Sequence, residues 1–212
     1  STTNPSMAEG GDITIASSLF NSLSLSPIGN LVLNADQDIN VNYSIDFSGY
    51  DVDLQFNATR NITIQGEVQG GQNPSRYLRT GGSIILNAGN DVSNYADLTG
   101  SSIDIDATMG SVVSGTDPLK RGRLTANYGD ISIDAGGSIT TGDRVTAEYF
   151  VDFTAGSDIT TNSRVEAQRY SVYFNAGNNI NVHASIRAPE YIELNAGVGV
   201  GNDGTVLIQN RI

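Results

Sequence analysis

Hydrophobic and polar residues alternate along this chain in short runs, most clearly over residues 172–186. Val172, Phe174 and Ala176 alternate with polar neighbours, and Ile180, Val182 and Ala184 do so again. Period-two alternation marks a strand with one buried face. Gly177, Asn178 and Asn179 separate the two runs, and such residues supply turn conformations. The unit predicts strand, corner, strand, with a third short apolar run following at Ile186.

The unit recurs almost from end to end. Its central alanine appears at Ala35, Ala58, Ala88, Ala107, Ala135, Ala155, Ala176 and Ala196, at intervals of 23, 30, 19, 28, 20, 21 and 20 residues. Two residues earlier stands a large apolar side chain: Leu33, Phe56, Leu86, Ile105, Ile133, Phe153, Phe174 or Leu194. Directly before the alanine comes Asn34, Asn57, Asn87, Asp106, Asp134, Thr154, Asn175 or Asn195. Ile39, Ile62, Val92, Val112, Ile139, Ile159, Ile180 and Val200 open the second strand. A third apolar position falls ten residues after the alanine, at Ile45, Val68, Leu98, Val145, Val165, Ile186 and Val206.

A coil of about 20 residues rising ~3.3 Å per residue has a perimeter near 65 Å, which suits three sides. Equivalent strands one coil apart then pair in parallel, ~4.8 Å apart. The expected fold is all-β: a right-handed parallel β-helix with three-sided coils, its hand following the preference of parallel crossovers. Asparagine stacked at one position predicts a ladder of amide hydrogen bonds, and alanine leaves room where two walls converge.

Each coil buries its apolar face only against its neighbours, so the chain reads as one elongated unit. Residues 1–28 form a tail and a degenerate first coil: 1–11 read as an extended tail or an incoming strand, and Ile13, Ile15, Leu19, Leu23 and Leu25 are the coil's apolar positions, with Pro27 ending it. Residues 29–212 form the repeats, with outward loops expected at 69–77 and 114–122, where Gly, Pro, Gln and Asn collect. Bare sheet ends recruit other strands. The expected partner is therefore self: adjoining coils of a longer parent chain, or a second subunit stacked end to end.

Composition narrows the function classes. Hydrophobic residues make up 38% and charged residues 16%, enough for a thin axial core and too little charge for charge-driven disorder. The net charge of −12 argues against nucleic acid or an anionic membrane as partner, and no apolar run reaches the ~20 residues of a spanning helix. The absence of cysteine removes disulfides and thiolate metal sites. The chain opens on Ser-Thr-Thr-Asn-Pro without the pattern of a signal peptide, so either processing has removed one or this is an excised segment.

The Leu-Asn-Ala-Gly copies at 86–89 and 194–197, with Phe-Asn-Ala-Gly-Asn-Asn-Ile at 174–180, resemble the repeats of filamentous-haemagglutinin-type exoproteins of two-partner secretion systems. The resemblance covers roughly residues 29–212, and the two loops depart from the repeat. It implies a β-helical shaft in a secreted adhesin on the surface of a Gram-negative bacterium, with binding regions elsewhere. No copy of that family's amino-terminal secretion domain is found.

Arg123, Arg144 and Arg164 each stand before an aliphatic that opens a third strand, with Arg76, Arg79, Lys120, Arg121 and Arg187 in or beside the same part of the coil. They predict a positive stripe that contacts an acidic surface glycan, a neighbouring fibre or a host or neighbour-cell receptor through bidentate guanidinium groups. The alternative is that Asp143, Glu148, Glu166 and Glu190 interleave with them and neutralise the stack. Asp106 and Asp134 interrupt the Asn34, Asn57, Asn87, Asn175, Asn195 ladder, and with Asp104 they form a candidate calcium site. Against it, the glycine-aspartate nonapeptide of calcium-binding β-rolls is absent. Beyond calcium no cofactor is expected.

The main expectation is a non-enzymatic shaft segment. Its rivals are a polysaccharide-lyase-like enzyme and a glycan-binding module, since parallel β-helices also carry carbohydrate chemistry. Asp104 and Asp152, two coils or ~10 Å apart with Ser132 between them, are the carboxylates such an enzyme would use. Tyr149, Tyr170 and Tyr191 predict a stacked aromatic column.

Overall fold

A computed structural model describes residues 6–9, 11–15, 30–65, 77–116, 121–197 and 204–208. The described residues are all-β, in three parallel sheets of 9, 9 and 7 strands. The strands succeed one another in the order first, second and third wall, coil after coil, which makes a three-sided parallel β-helix.

The first wall stacks Ser6–Glu9, Asn30–Ala35, Asp53–Ala58, Ile84–Ala88, Ile103–Ala107, Ile131–Ala135, Val151–Ala155, Val172–Ala176 and Ile192–Ala196. Its register places every alanine of the repeat over the next, from Ala35 and Ala58 through to Ala176 and Ala196. The second wall stacks Ile13–Ile15, Ile39–Val41, Ile62–Ile64, Val92–Asn94, Val112–Ser114, Ile139–Thr141, Ile159–Thr161, Ile180–Val182 and Val206–Ile208. The third stacks Ile45–Phe47, Tyr77–Thr80, Asp97–Gly100, Leu124–Ala126, Val145–Ala147, Val165–Ala167 and Ile186–Arg187.

Alternation turns one apolar column of each wall pair onto the axis, and the columns fill it. Leu54, Phe56, Ile105, Ile133, Phe153 and Phe174 are fully buried. Phe153 and Phe174 lie face over face, ring centroids 4.8 Å apart and planes 1° from parallel, because identical side chains in register at the coil spacing have nowhere else to go.

Three sequence expectations change in the structure. Val206 belongs to the second wall, paired with Ile180, and not to the third; the corner after Ala196 is lengthened, so spacing from the alanine misplaces it. The third-wall position in the longer coils is taken by Leu78 and Leu124, since Ile45 pairs with Leu78 and Leu98 with Leu124. Of the two readings of residues 1–11, tail or incoming strand, the second holds for Ser6–Glu9, which pairs with the strand Asn30–Ala35, so the first wall has nine layers, one beyond the eight that the alanines mark. Tyr77 and Ser114, at the ends of the expected loops, are strand residues. Leu19, Leu23, Leu25, Pro27, Val68 and Val200 lie outside the described residues, as do most of both loops.

Candidate functional site

Polar residues in the corners build three features along the rod. The first is a spine at the corner leading into the second wall. Asp12, Asp38, Asn61, Asp91, Ser111, Ser138, Asp158, Asn179 and Thr205 stand there, each just before a second-wall strand. The side-chain oxygen of each but the last accepts the backbone N–H of its counterpart one coil on, from Asp12 with Asp38 (3.2 Å) to Asn179 with Thr205 (3.2 Å). Every step of this chain is made. Corner N–H groups have no strand partner, and a short Asp, Asn or Ser acceptor supplies one, as at a helix N-cap. Arg60 adds an ion pair to Asp38 at 2.5 Å. That hydrogen bond, together with the Asn61 amide, outweighs desolvation and holds the Asp38 carboxyl below its ordinary pKa.

The second feature is the outward face of the first wall. The expected amide ladder forms where asparagines adjoin: Asn57 donates to Asn34 at 2.7 Å, Asn87 to Asn57 at 2.8 Å and Asn195 to Asn175 at 2.9 Å. A shallow groove of about 380 Å³ follows its first rungs, lined by Asn34, Asn57 and Asn87. In its middle, Asp106 lies in register with Asp134. The adjacent column runs Asp104, Ser132, Asp152. Three successive coils thus present carboxylates with no cation between them: no Arg or Lys occurs on the outward positions of this wall among the described residues. Desolvation against the sheet, then the Asp134 and Asp106 charges, push the Asp104 carboxyl above its ordinary pKa. Burial and Asp106 raise Asp134 although Thr154 donates to it, and burial with Asp134 raises Asp152. Among the described residues, no group of three or more His, Cys, Asp or Glu side chains is gathered closely enough to hold a metal ion.

The third feature is the corner between the second and third walls. Arg123, Arg144 and Arg164 stack in successive coils, their carbonyls accepting the N–H groups of Leu98, Leu124 and Val145, each one coil earlier, at 2.8–3.0 Å. Asp97 heads the column and accepts the Arg123 N–H at 3.4 Å. Arg144 pairs with Glu166 at 2.5 Å, while Arg164 approaches the same oxygen at 3.8 Å. Asp143 receives the Arg144 backbone N–H. Arg187 and Arg79 stand on the outward face of the third wall, in a column with Asp46, Glu166 and three threonines, Thr99, Thr125 and Thr146. Arg79 lies over the Tyr77 ring, 4.2 Å from its centroid. Arg121 is exposed beside Arg123. Arg76 and Lys120 lie outside the described residues. The structure therefore stacks three of the eight expected cations at this corner with Arg121 beside them, sets Arg79 and Arg187 on the adjoining wall, and pairs Arg144 and Arg164 with Glu166. Glu148 does not join them; it pairs with Arg169 at the opposite corner.

The aromatic column differs from expectation. Tyr149 and Tyr170 are 5.5 Å apart, but Phe150 and Tyr173 complete the cluster, at 5.0 Å from Tyr170 to Phe150 and 6.3 Å from Phe150 to Tyr173. Tyr191 stands apart, 66% exposed, because it directly precedes its first-wall strand, at the register position of Phe150 and Ser171, whereas Tyr149 and Tyr170 stand one residue earlier.

Sequence reasoning missed the spine, although its signal is regular: a short polar acceptor directly before each second-wall aliphatic. It also missed the inward polar column Asn94, Ser114, Thr141, Thr161, all fully buried. Asn94 is satisfied by Ser114 and by the backbone of Ala96, and Ser114 donates to the Gly122 carbonyl. The hydroxyls of Thr141 and Thr161 have no partner. No protein-family model, no curated protein and no solved structure matches the chain.

Proposed function

We propose that this chain is a non-enzymatic structural segment, the shaft of a secreted bacterial surface adhesin of the filamentous-haemagglutinin type. The observation that carries the reading is the repeated coil: among the described residues two walls and the corner spine run through nine layers and the third wall through seven, around an axis filled with side chains. Such an arrangement supplies length and stiffness. The outward faces support the same reading, because their polar groups serve mainly to join one coil to the next.

The rival reading is carbohydrate chemistry, and one observation favours it: Asp104 and Asp152 have raised pKa values on one solvent-facing wall. General acid–base catalysis requires such groups to converge on one bond, whereas these two are separated by a full coil bearing Ser132.

Two measurements test the proposal together. Small-angle scattering should give an elongated particle of constant cross-section, about 40 Å long for nine layers. A glycan-degradation screen should show no turnover. Turnover that disappears in the Asp104→Asn, Asp152→Asn double variant overturns the proposal. Labelling of intact source cells checks the surface assignment, and detection only after permeabilisation contradicts it.

A further inference from the structure

Charge is segregated around this rod. At the two corners flanking the first wall, each arginine is matched, Arg60 by Asp38 and Arg169 by Glu148. Among the described residues the first wall carries only carboxylates at its charged outward positions: Asp53 and Glu193 stand apart, and between them three successive coils bear Asp104 with Asp106, then Asp134, then Asp152. Across the rod, at the corner between the second and third walls, Arg123, Arg144 and Arg164 likewise occupy three successive coils. Asp97, Asp143 and Glu166 are the carboxylates among them. The Arg144 and Arg164 side chains remain 43% and 38% exposed beside Glu166, and Arg123 is exposed.

Both rows share one period, because both are set by the ~4.8 Å spacing of paired strands. A row of three guanidinium groups and a row of three carboxylates on the same fold are therefore commensurate by construction, whichever way two rods lie side by side. We propose that the arginine edge of one copy docks on the acidic first wall of a second copy, rod beside rod. Each guanidinium offers a planar fork that a carboxylate accepts in two hydrogen bonds. The partner's cations would relieve a wall whose carboxylates have threonine hydroxyls but no cation of their own among the described outward residues.

The contact is heterologous: edge meets wall, leaving a free wall on one rod and a free edge on the other. Such contacts propagate instead of closing into a pair, so the product is a lateral ribbon of rods. Two copies at −12 each also repel over long range. The local match wins where the Debye length is about 10 Å, near 0.1 M salt, and is lost near 1 M, where it is about 3 Å. The inference extends the shaft reading and takes from it only the rod shape.

Sedimentation velocity on the full chain provides the test, with two variants whose folding is verified by circular dichroism. One is Arg123→Gln, Arg144→Gln, Arg164→Gln; the other is Asp104→Asn, Asp134→Asn, Asp152→Asn. The wild type should sediment faster as concentration rises at 0.1 M salt and return to the monomer value at 1 M. Each variant alone should stay monomeric. An equimolar mixture should form dimers and nothing larger, since one variant keeps the wall and the other the edge. A wild type that is monomeric at every concentration, or association that neither variant alters, overturns the inference. So does a monomer that binds heparin through the three arginines, which gives the edge to an acidic polysaccharide instead. Rod-shaped monomers leave the shaft reading standing, whereas round particles remove both.

Discussion

Replacing Asp134 by Asn should stabilise this protein, and the structure sets the size of the gain. Asp134 is in register with Asp106, so two carboxylates sit about 4.8 Å apart on an exposed wall. Their Coulomb repulsion is roughly 0.9 kcal/mol at the dielectric of water and about 3 kcal/mol at an effective value of 20. Exposure and salt place the true cost near the lower figure, about 1 kcal/mol. Asparagine keeps an oxygen for the Thr154 hydroxyl that Asp134 accepts. Its new amide points toward Asp106 in the sense already used by Asn57, Asn87 and Asn195, each donating to the coil before it. One such hydrogen bond adds about 0.5–1.5 kcal/mol. The expected total at pH 7 is a gain of about 1–2 kcal/mol, read as a rise in urea midpoint without a change in slope.

The pH dependence follows from the sign of the shift. Asp134 is harder to ionise folded than unfolded, so its charge costs stability above its folded pKa. That cost fades as pH falls, and it is gone below the unfolded value near 3.9. The advantage of Asp134→Asn should therefore shrink on titration from pH 7 to pH 3. Asp38 titrates in the opposite sense: its pKa is lowered, so its contribution is present above the unfolded value and lost as pH falls through the folded one. A destabilised Asp134→Asn protein at pH 7 refutes the reasoning. A wild type that gains stability with calcium, and a variant that loses that gain, replaces repulsion with a cation site.

Four further substitutions probe the packing and the corner spine. Thr161→Val should be neutral or stabilising by up to about 1 kcal/mol in thermal unfolding, because its buried hydroxyl has no partner and Val182 already occupies the same column; a loss of that size contradicts the placement. Phe174→Ala should cost about 3–5 kcal/mol in urea unfolding, since the ring is fully buried and stacked on Phe153. Ala155→Leu should cost about 1–3 kcal/mol by overpacking the place where two walls converge, and a neutral result would mean the alanine column is not tight. Asp158→Ala should cost about 1–3 kcal/mol through two lost acceptor bonds to Asn179, both 3.0 Å, detectable as faster hydrogen exchange at the Asn179 amide.

Much of this architecture was legible because the repeat carries its own alignment. Ala135, Ala155 and Ala176 are spaced by about one coil, and their register in the first wall is the one that spacing implies. Where a corner lengthens, distance along the sequence no longer measures distance around the coil. Val206 is the example: ten residues after Ala196 it still belongs to the second wall, and the Thr205 amide bonded to Asn179 marks the true strand start. The spine was overlooked because Asp, Asn and Ser before a strand read as turn formers, and only a structure shows that all of them accept from the next coil. Thr141 and Thr161 were hidden for a different reason. A threonine methyl satisfies an apolar position, so period-two patterning does not distinguish it from valine. The arginine edge was visible as three residues before third-wall aliphatics, whereas the pairing of Arg144 and Arg164 through a shared Glu166 depends on which coil each occupies.

The central claim, coils stacked flat in a single register, is tested most directly by distances between paired spin labels. The chain has no cysteine, so pairs introduced on the outward column of the second wall, Asn40, Thr63, Ser93, Val113, Thr140, Thr160 and Asn181, report without interference. Thr63 to Thr140, Thr63 to Asn181 and Asn40 to Asn181 span three, five and six coils. The distances should rise in a straight line, about 14, 24 and 29 Å between backbones. Distances that do not grow with the number of coils contradict the fold, and with it the rod, the spine and the two charged rows.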